Sequence, residues 1–316
     1  MISIPTTLIL GAGASCPYGY PSGAALRKLL CEQYQRDAGP AFDVLKSLDF
    51  ASRDIVGFRD AFYRSQITSI DRFLAINKQY WQVGKAAIAA LLIQSEVEDN
   101  LLRERSTDHW YRYLWNRMET SWEGFLSNAI RIVTFNYDRS LEMFLAIALS
   151  SYNGRPFEEA VVRVYQLPIV HVYGSLGLIG PDMVAPARPY SNELREGAVK
   201  IAMDSIRVIP EHRRIEEDEK KIKHLIASAQ RICYLGFGYD ALNVEHLCLN
   251  EALPDIPNLA ATVDEAGAFH HGKDVLGTTV GLKSQEVVTG VKAVKGRMQR
   301  FAASECEDFL RVYGVL

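Results

Sequence analysis

Residues 6–10 read Thr-Thr-Leu-Ile-Leu, a short buried-strand pattern that stops at glycine. Pro21-Ser22-Gly23 then opens a segment running to about residue 36, with Ala25, Leu26, Leu29 and Leu30 at helical spacing. Between residues 40 and 128 strand-like runs vanish. Aromatic residues at helical spacing take over, among them Phe58, Phe62, Phe73, Tyr80, Trp81, Trp110, Tyr113, Trp115, Trp122 and Phe125. This pattern predicts several helices. Thr68-Ser69-Ile70-Asp71 reads as a helix start with Thr68 as the cap and Asp71 at the third position, and Lys85–Leu92 is rich in strong helix formers.

Strand character returns at Ile130–Thr134, and Leu141–Leu149 reads as helix. Val161–Leu167 reads as an edge strand or hairpin arm, and Ile169–Tyr173 as a further strand. Residues 180–200 are irregular and contain proline, after which helix resumes. The charge run Arg213–Lys223 is a solvated helix face with pairs four residues apart. Arg231–Leu235 is a buried strand, and Val244–Leu253 a helix closed by Pro254. Leu259–Val263 reads as strand, the glycine-rich stretch 265–281 as loop, Glu286–Val291 as a weak strand and Gln299–Val312 as a terminal helix. Strand and helix alternate. The expected fold is therefore α/β, a Rossmann-like doubly wound parallel sheet. One domain is expected over 1–316, with residues 40–128 as a helical insertion within it.

Bulk properties narrow the function classes. At 316 residues the chain can bury a sizeable core, and 48% hydrophobic with 23% charged residues is ordinary for a globular protein. A net charge of −3 supplies no global field for nucleic acid or an anionic membrane. Arginines among the aromatic residues are matched by Asp60, Asp71, Glu119 and Glu123, so a base-stacking platform is disfavoured against plain core packing. Cys16, Cys31, Cys233, Cys248 and Cys306 are odd in number and widely spaced, with no CxxC pair. That argues against a disulfide framework and a structural zinc site, and for a reducing compartment. No segment approaches the ~20 apolar residues of a membrane span and no signal-peptide pattern is seen, so a cytoplasmic location is expected.

Candidate chemistry sits just past four of the strand-like runs, where ligands bind in open α/β sheets. Gly11-Ala12-Gly13-Ala14-Ser15 follows the first. Its glycines would let backbone amides approach a pyrophosphate, with a helix N-terminus behind them and the Ser15 hydroxyl beside them. It is not a full GxGxxG, because Cys16 holds the third glycine's place, and a ligand-free strand-to-helix turn accounts for the same residues. Thr134-Phe135-Asn136-Tyr137-Asp138 follows the second run. Asn136 and Asp138 fall on one side of an extended segment, where amide and carboxylate could fix a ribose or a water; Asp138 could equally cap the next helix. His171-Val172-Tyr173-Gly174-Ser175 carries a histidine suited to a general base, although a strand-end histidine is often structural. Gly236-Phe237-Gly238-Tyr239-Asp240 is the fourth patch, followed by Asn243 where an adenosine or ribose could lie, or where a helix cap could form.

In this order, GAGAS, TFNYD, HVYGS and GFGYD resemble the sirtuin-like NAD-consuming domains of bacteria, over roughly residues 5–265. The segment TSIDRFL at Thr68–Leu74 resembles a recurring stretch of that subgroup. The resemblance implies that Gly11, Ala12, Gly13 and Ser15 hold the pyrophosphate of NAD, and that Asn136 and Asp138 face the nicotinamide ribose. It makes His171 the base and sets Gly236, Gly238 and Asn243 on the adenosine side. Sirtuin deacylases carry two CxxC pairs in a zinc ribbon, which this chain lacks. The resemblance is thus to the zinc-free subgroup that hydrolyses NAD to nicotinamide and ADP-ribose, commonly the NAD-depleting arm of antiphage defence. NAD is then a substrate, and no metal is expected. ADP-ribosyl transfer or deacylation in the same pocket is the nearest alternative. A non-catalytic NAD- or ADP-ribose-binding assembly subunit is another. The implied partners are a second copy of the chain and a HerA-type ATPase or an Argonaute protein, without membrane or direct nucleic-acid binding.

Overall fold

A computed structural model describes residues 1–35, 37–104, 108–208, 212–247, 274–278, 300–302, 305–314 and 316. Its centre is strand β1 (Thr6–Leu10), paired in parallel with β2 (Ile130–Thr134) on one side. On the other side lies the strand Arg231–Leu235, also parallel. Strand β3 (Ile169–His171) extends the sheet beyond β2. Two short strands, β4 (Leu178–Ile179) and β5 (Ala187–Arg188), form a separate parallel pair. Strands β6 (Arg231–Leu235), β7 (Asp274–Thr278) and β8 (Arg300–Ala302) follow in the chain. The main sheet runs β3-β2-β1-β6-β7-β8 with every pairing parallel. This is the doubly wound α/β arrangement, and strand order reverses direction at β1.

The β1 residues are buried without alternation, as expected for a parallel strand covered on both faces. Two threonines are tolerated there because their hydroxyls find carbonyls: Thr7 donates to Leu225 O at 2.8 Å and Thr6 to Ile4 O at 2.9 Å.

Among the described residues seven α-helices lie between β1 and β2: α1 (Gly23–Gln33), α2 (Pro40–Ser47), α3 (Ser52–Ser65), α4 (Ile70–Ile76), α5 (Trp81–Ile93), α6 (Glu98–Leu102) and α7 (Trp110–Arg117). Helix α5 is buried from Val83 to Ile93 on every face, the mark of a central helix. Around it α1, α2 and α3 pack. Phe58, Phe62 and Phe73 form one aromatic cluster with Tyr80. Trp110 and Phe125 are fully buried elsewhere in the same hydrophobic core. The aromatic residues read at helical spacing in this region are core or pack against it, whereas Tyr63 is exposed.

Several boundaries differ from the expectation. The cap of α4 is Ser69, whose hydroxyl accepts from Arg72 N at 3.2 Å; Thr68 is one position too early. After β2 come α8 (Ser140–Asn153) and α9 (Phe157–Val164). Helix α9 replaces the strand expected at Val161–Leu167. Pro156 precedes its first turn, Glu158 and Glu159 lie in that turn, and Ala160, Val161 and Val164 are buried while Val162 is exposed. Those features are a helix start and a helical face, and they outweigh the β preference of three valines. Further on are α10 (Glu196–Ser205), α11 (His212–Ala227), α12 (Ala241–His246) and α13 (Cys306–Val312). Strand β7 lies inside the stretch read as loop, because Asp274–Thr278 adds to the edge of β6 despite its glycine. The expected terminal helix is split into β8 and α13. The expected strands at Leu259–Val263 and Glu286–Val291 lie outside the described residues.

Helix α13 is docked by a reciprocal pair. Asp108 accepts from Glu307 N at 2.8 Å, and Glu307 accepts from His109 N at 2.6 Å. Burial, with Glu305 and Glu307 nearby, pushes the Asp108 carboxyl up to about 6. A raised acid favours the folded state when protonated, so its contribution is full below its ordinary value of 3.8 and lost as pH rises through 6. Glu307 behaves oppositely. Burial alone would raise it, but Arg311 and the His109 amide hold it below its ordinary value, and its contribution is lost only in stronger acid. Protection of the α13 amides against hydrogen exchange, corrected for intrinsic rate, should therefore rise from pH 7 to pH 5. Asp108→Asn should flatten that rise; an equal rise in this variant would assign it to other groups.

Candidate functional site

The carboxyl ends of β1, β2, β3 and β6 bring the four patches together. After β1 the chain makes a tight 3-10 turn, Ala12–Tyr18, and α1 begins only at Gly23. Pro17 and the left-handed Gly19 separate the two, so no long helix points its amino end at Gly11–Gly13 as the sequence suggested.

The glycines of the first and fourth patches meet each other. Gly11 N donates to Leu235 O and Gly13 N to Gly236 O, both at 3.0 Å. A Cβ on Gly11 would lie 2.6 Å from Gly236 O and 2.7 Å from Phe237 Cα. Gly236 is left-handed at φ +56°, and its N–H donates to Thr278 Oγ1 at 2.9 Å. These glycines allow two backbone turns to interlock, and the amides of Gly11 and Gly13 are spent on that contact. Gly238 differs: a Cβ there meets nothing within 4 Å.

Asn136 reaches into this junction. Its Nδ2 donates to Gly11 O and to Ser15 Oγ, each at 3.0 Å, and its backbone N–H donates to Thr134 Oγ1 at 3.1 Å. Its Oδ1 is buried and has no hydrogen-bond partner among the described residues. A native fold rarely leaves such an acceptor unmet, because losing water without a replacement costs about 1–3 kcal/mol. Asp138 accepts from Ser140 N at 3.1 Å and from the Ser140 hydroxyl, an Asx turn that leads into α8. Burial raises the Asp138 carboxyl above the ordinary range, opposed by hydrogen bonds from Ser140 and Ser15. Ser15 thus serves both members of the asparagine–aspartate pair. Ala12 lies in the same turn, and Tyr111 caps the network by bonding Ser140 Oγ at 2.7 Å.

His171 closes β3 opposite Thr134. Nδ1 lies 2.9 Å from Asn136 O and Nε2 lies 2.7 Å from Glu142 Oε1. Burial works against the imidazolium, but Glu142 and the Asn136 carbonyl outweigh it and the net shift is upward. Its side chain is 15% exposed, so solvent reaches it. Glu142 was missed in the sequence. Its signal was its place six residues past Asn136, in the first turn of the helix that the asparagine–aspartate loop starts.

An aromatic floor completes the junction. Phe135 packs on Phe237 and Tyr173, with ring centroids at 5.1 and 5.7 Å. Tyr173 donates to Asn243 Oδ1, which brings the third patch to the residue beyond the fourth. Tyr137 donates to Asp71 from α4, so the TSIDRFL segment touches the site. Burial, with Asp71 and Asp240, suppresses the acidity of Tyr173. A small cleft adjoins Tyr173, lined also by Val172, Arg207, Val208, Ile222 and His246.

The loop is braced by a buried ion cluster that composition alone could not reveal. Glu96 accepts from Arg139 Nε at 2.9 Å and from Arg188 Nη1 at 2.8 Å, with all three side chains at most 1% exposed. Arg139 also donates to the carbonyls of Leu178, Arg188 and Pro189. The segment after the third patch is thereby tied to the residue next to Asp138.

Among the described residues, no three His, Cys, Asp or Glu side chains are placed to hold a metal ion, and no helix is long and apolar enough to cross a membrane. No family model and no curated protein matches the chain.

Proposed function

We propose that this chain is a sirtuin-like NAD hydrolase, cleaving the N-glycosidic bond of NAD to release nicotinamide and ADP-ribose. The observation that carries the reading is the buried, unpartnered Oδ1 of Asn136. It lies where strand order reverses, beside a histidine and a carboxylate. A hydroxyl of the nicotinamide ribose, or the attacking water, would satisfy it. Nicotinamide leaves as a neutral molecule from a cationic ring, so no general acid is required. The transition state is oxocarbenium-like, and a fixed carboxylate such as Asp138 would stabilise it. His171 is the group suited to take the proton from water or hydroxyl. Gly238 faces open space and Asn243, held by Tyr173, follows it past β6, where the adenosine half would lie. An NAD-depleting role in antiphage defence, alone or with a HerA-type ATPase or Argonaute partner, follows from the resemblance in sequence.

Purified protein incubated with NAD should release nicotinamide. Asn136→Ala and His171→Ala should each slow release ~100- to 10,000-fold while circular dichroism is unchanged. Wild-type rates in both variants would refute the assignment. A second reading, binding without turnover, is favoured by the full engagement of the His171 ring; NAD bound and recovered intact would support it.

A further inference from the structure

The hydrogen bonds of His171 leave its ring no lone pair to offer. Nδ1 faces the Asn136 carbonyl oxygen, which can only accept, so Nδ1 carries a hydrogen. Nε2 faces Glu142 Oε1 at 2.7 Å. A bare lone pair against a carboxylate oxygen at that distance is repulsive, so a proton lies between them. Both nitrogens are therefore engaged, and a proton leaving water or a ribose hydroxyl has nowhere on the ring to go.

Glu142 is held in this position. Its side chain is 7% exposed, and it lies in the first turn of α8. That turn is anchored by Asp138 on Ser140 and by Arg139 on Glu96. Among the described residues the groups facing the pair are few. They are Asp138 from the loop before α8, the Asn136 carbonyl from the end of β2, and Tyr165, which senses Glu142 from the end of α9.

We propose that Glu142 is a latch on the site, a positioning residue that occupies Nε2 of His171 and holds most copies of the proposed hydrolase at rest, wild-type turnover being carried by the minority in which its carboxylate is displaced. The inference rests on the NAD-hydrolase reading for its consequence, but its core, the occupied ring, stands apart from any reaction.

The test uses the full chain and two readouts. The first is the side-chain nitrogen NMR spectrum of His171 at pH 7.5 without NAD, the resonance being identified by its loss in His171→Ala. Wild type should show both ring nitrogens protonated. Glu142→Ala should show a neutral ring, and Glu142→Gln, nearly isosteric and the safer folder, should do the same. A neutral wild-type ring overturns the proposal. The second readout is nicotinamide release. Glu142→Ala should release it at least ~10-fold faster than wild type, since a freed base contributes within the range ~100- to 10,000-fold. Glu142→Gln should gain less, because its amide still covers Nε2. Release unchanged, or reduced toward the His171→Ala level in a folded Glu142→Ala protein, also overturns the latch. If no chain releases nicotinamide, the hydrolase reading fails and the spectrum alone decides whether the ring is held.

Discussion

Gly236→Ala should cost more than about 4 kcal/mol of stability, while Gly238→Ala two residues later should cost no more than about 1 kcal/mol. The left-handed backbone of Gly236 already disfavours any side chain by about 1–2 kcal/mol. The larger part is steric. A Cβ there would lie 2.7 Å from Gly13 Cα and closer still to the Ala14 amide nitrogen. These are backbone atoms of the interlocked turn and cannot rotate away. Relief would require β1 and β6 to separate where they are hydrogen-bonded in register, Leu10 with Leu235. Urea denaturation of the two variants measures the difference. A Gly236→Ala unfolding free energy within about 1 kcal/mol of wild type would mean that the turns do not interlock. Gly238→Ala has a second use: as it faces open space, a folded variant with weakened NAD binding would locate the ligand there.

Glu96→Ala should cost about 3–5 kcal/mol, because it strands two buried guanidinium groups with one counter-charge removed. Burial and the neighbouring Arg139 already push the Arg188 pKa down against the pull of Glu96. The loss should be local before it is global. The carbonyls of Leu178, Arg188 and Pro189 depend on Arg139, so the segment carrying β4 and β5 should become the first site of limited proteolysis. Unchanged denaturation and unchanged cleavage would show that the cluster is not what holds this segment.

The layout of the sheet was legible where strands are short, apolar and bounded by glycine or polar residues. The bounds of β1, β2 and β6 are those read from residues 6–10, 130–134 and 231–235. It was not legible where a β-branched run serves a helix. Val161, Val162 and Val164 follow a proline and two glutamates that turn the same residues into α9. Strand β7 was hidden because Asp-Val-Leu-Gly-Thr acquires strand structure only by adding to the edge of β6. At the site, the patches that converge were visible as sequence, but the partners that define their chemistry were not. Glu142 and Glu96 carry no motif, and Asp71 was legible only as a helix-start residue of TSIDRFL; each matters through a residue distant in the chain. The glycines were legible as close-approach positions, but what approaches Gly11 and Gly236 is the other turn.

The central place of β1 also bears on how the chain assembles. Leu8 pairs with Ile132 on one side and Cys233 on the other, so its two neighbours close loops of roughly 120 and 220 residues. During synthesis β1 therefore emerges long before its second partner. Until Arg231–Leu235 leaves the ribosome, an apolar strand keeps one hydrogen-bonding edge open to any other chain. A nascent or truncated chain ending between α8 and α11 should accordingly depend on a chaperone to stay monomeric, whereas the finished sheet covers that edge itself.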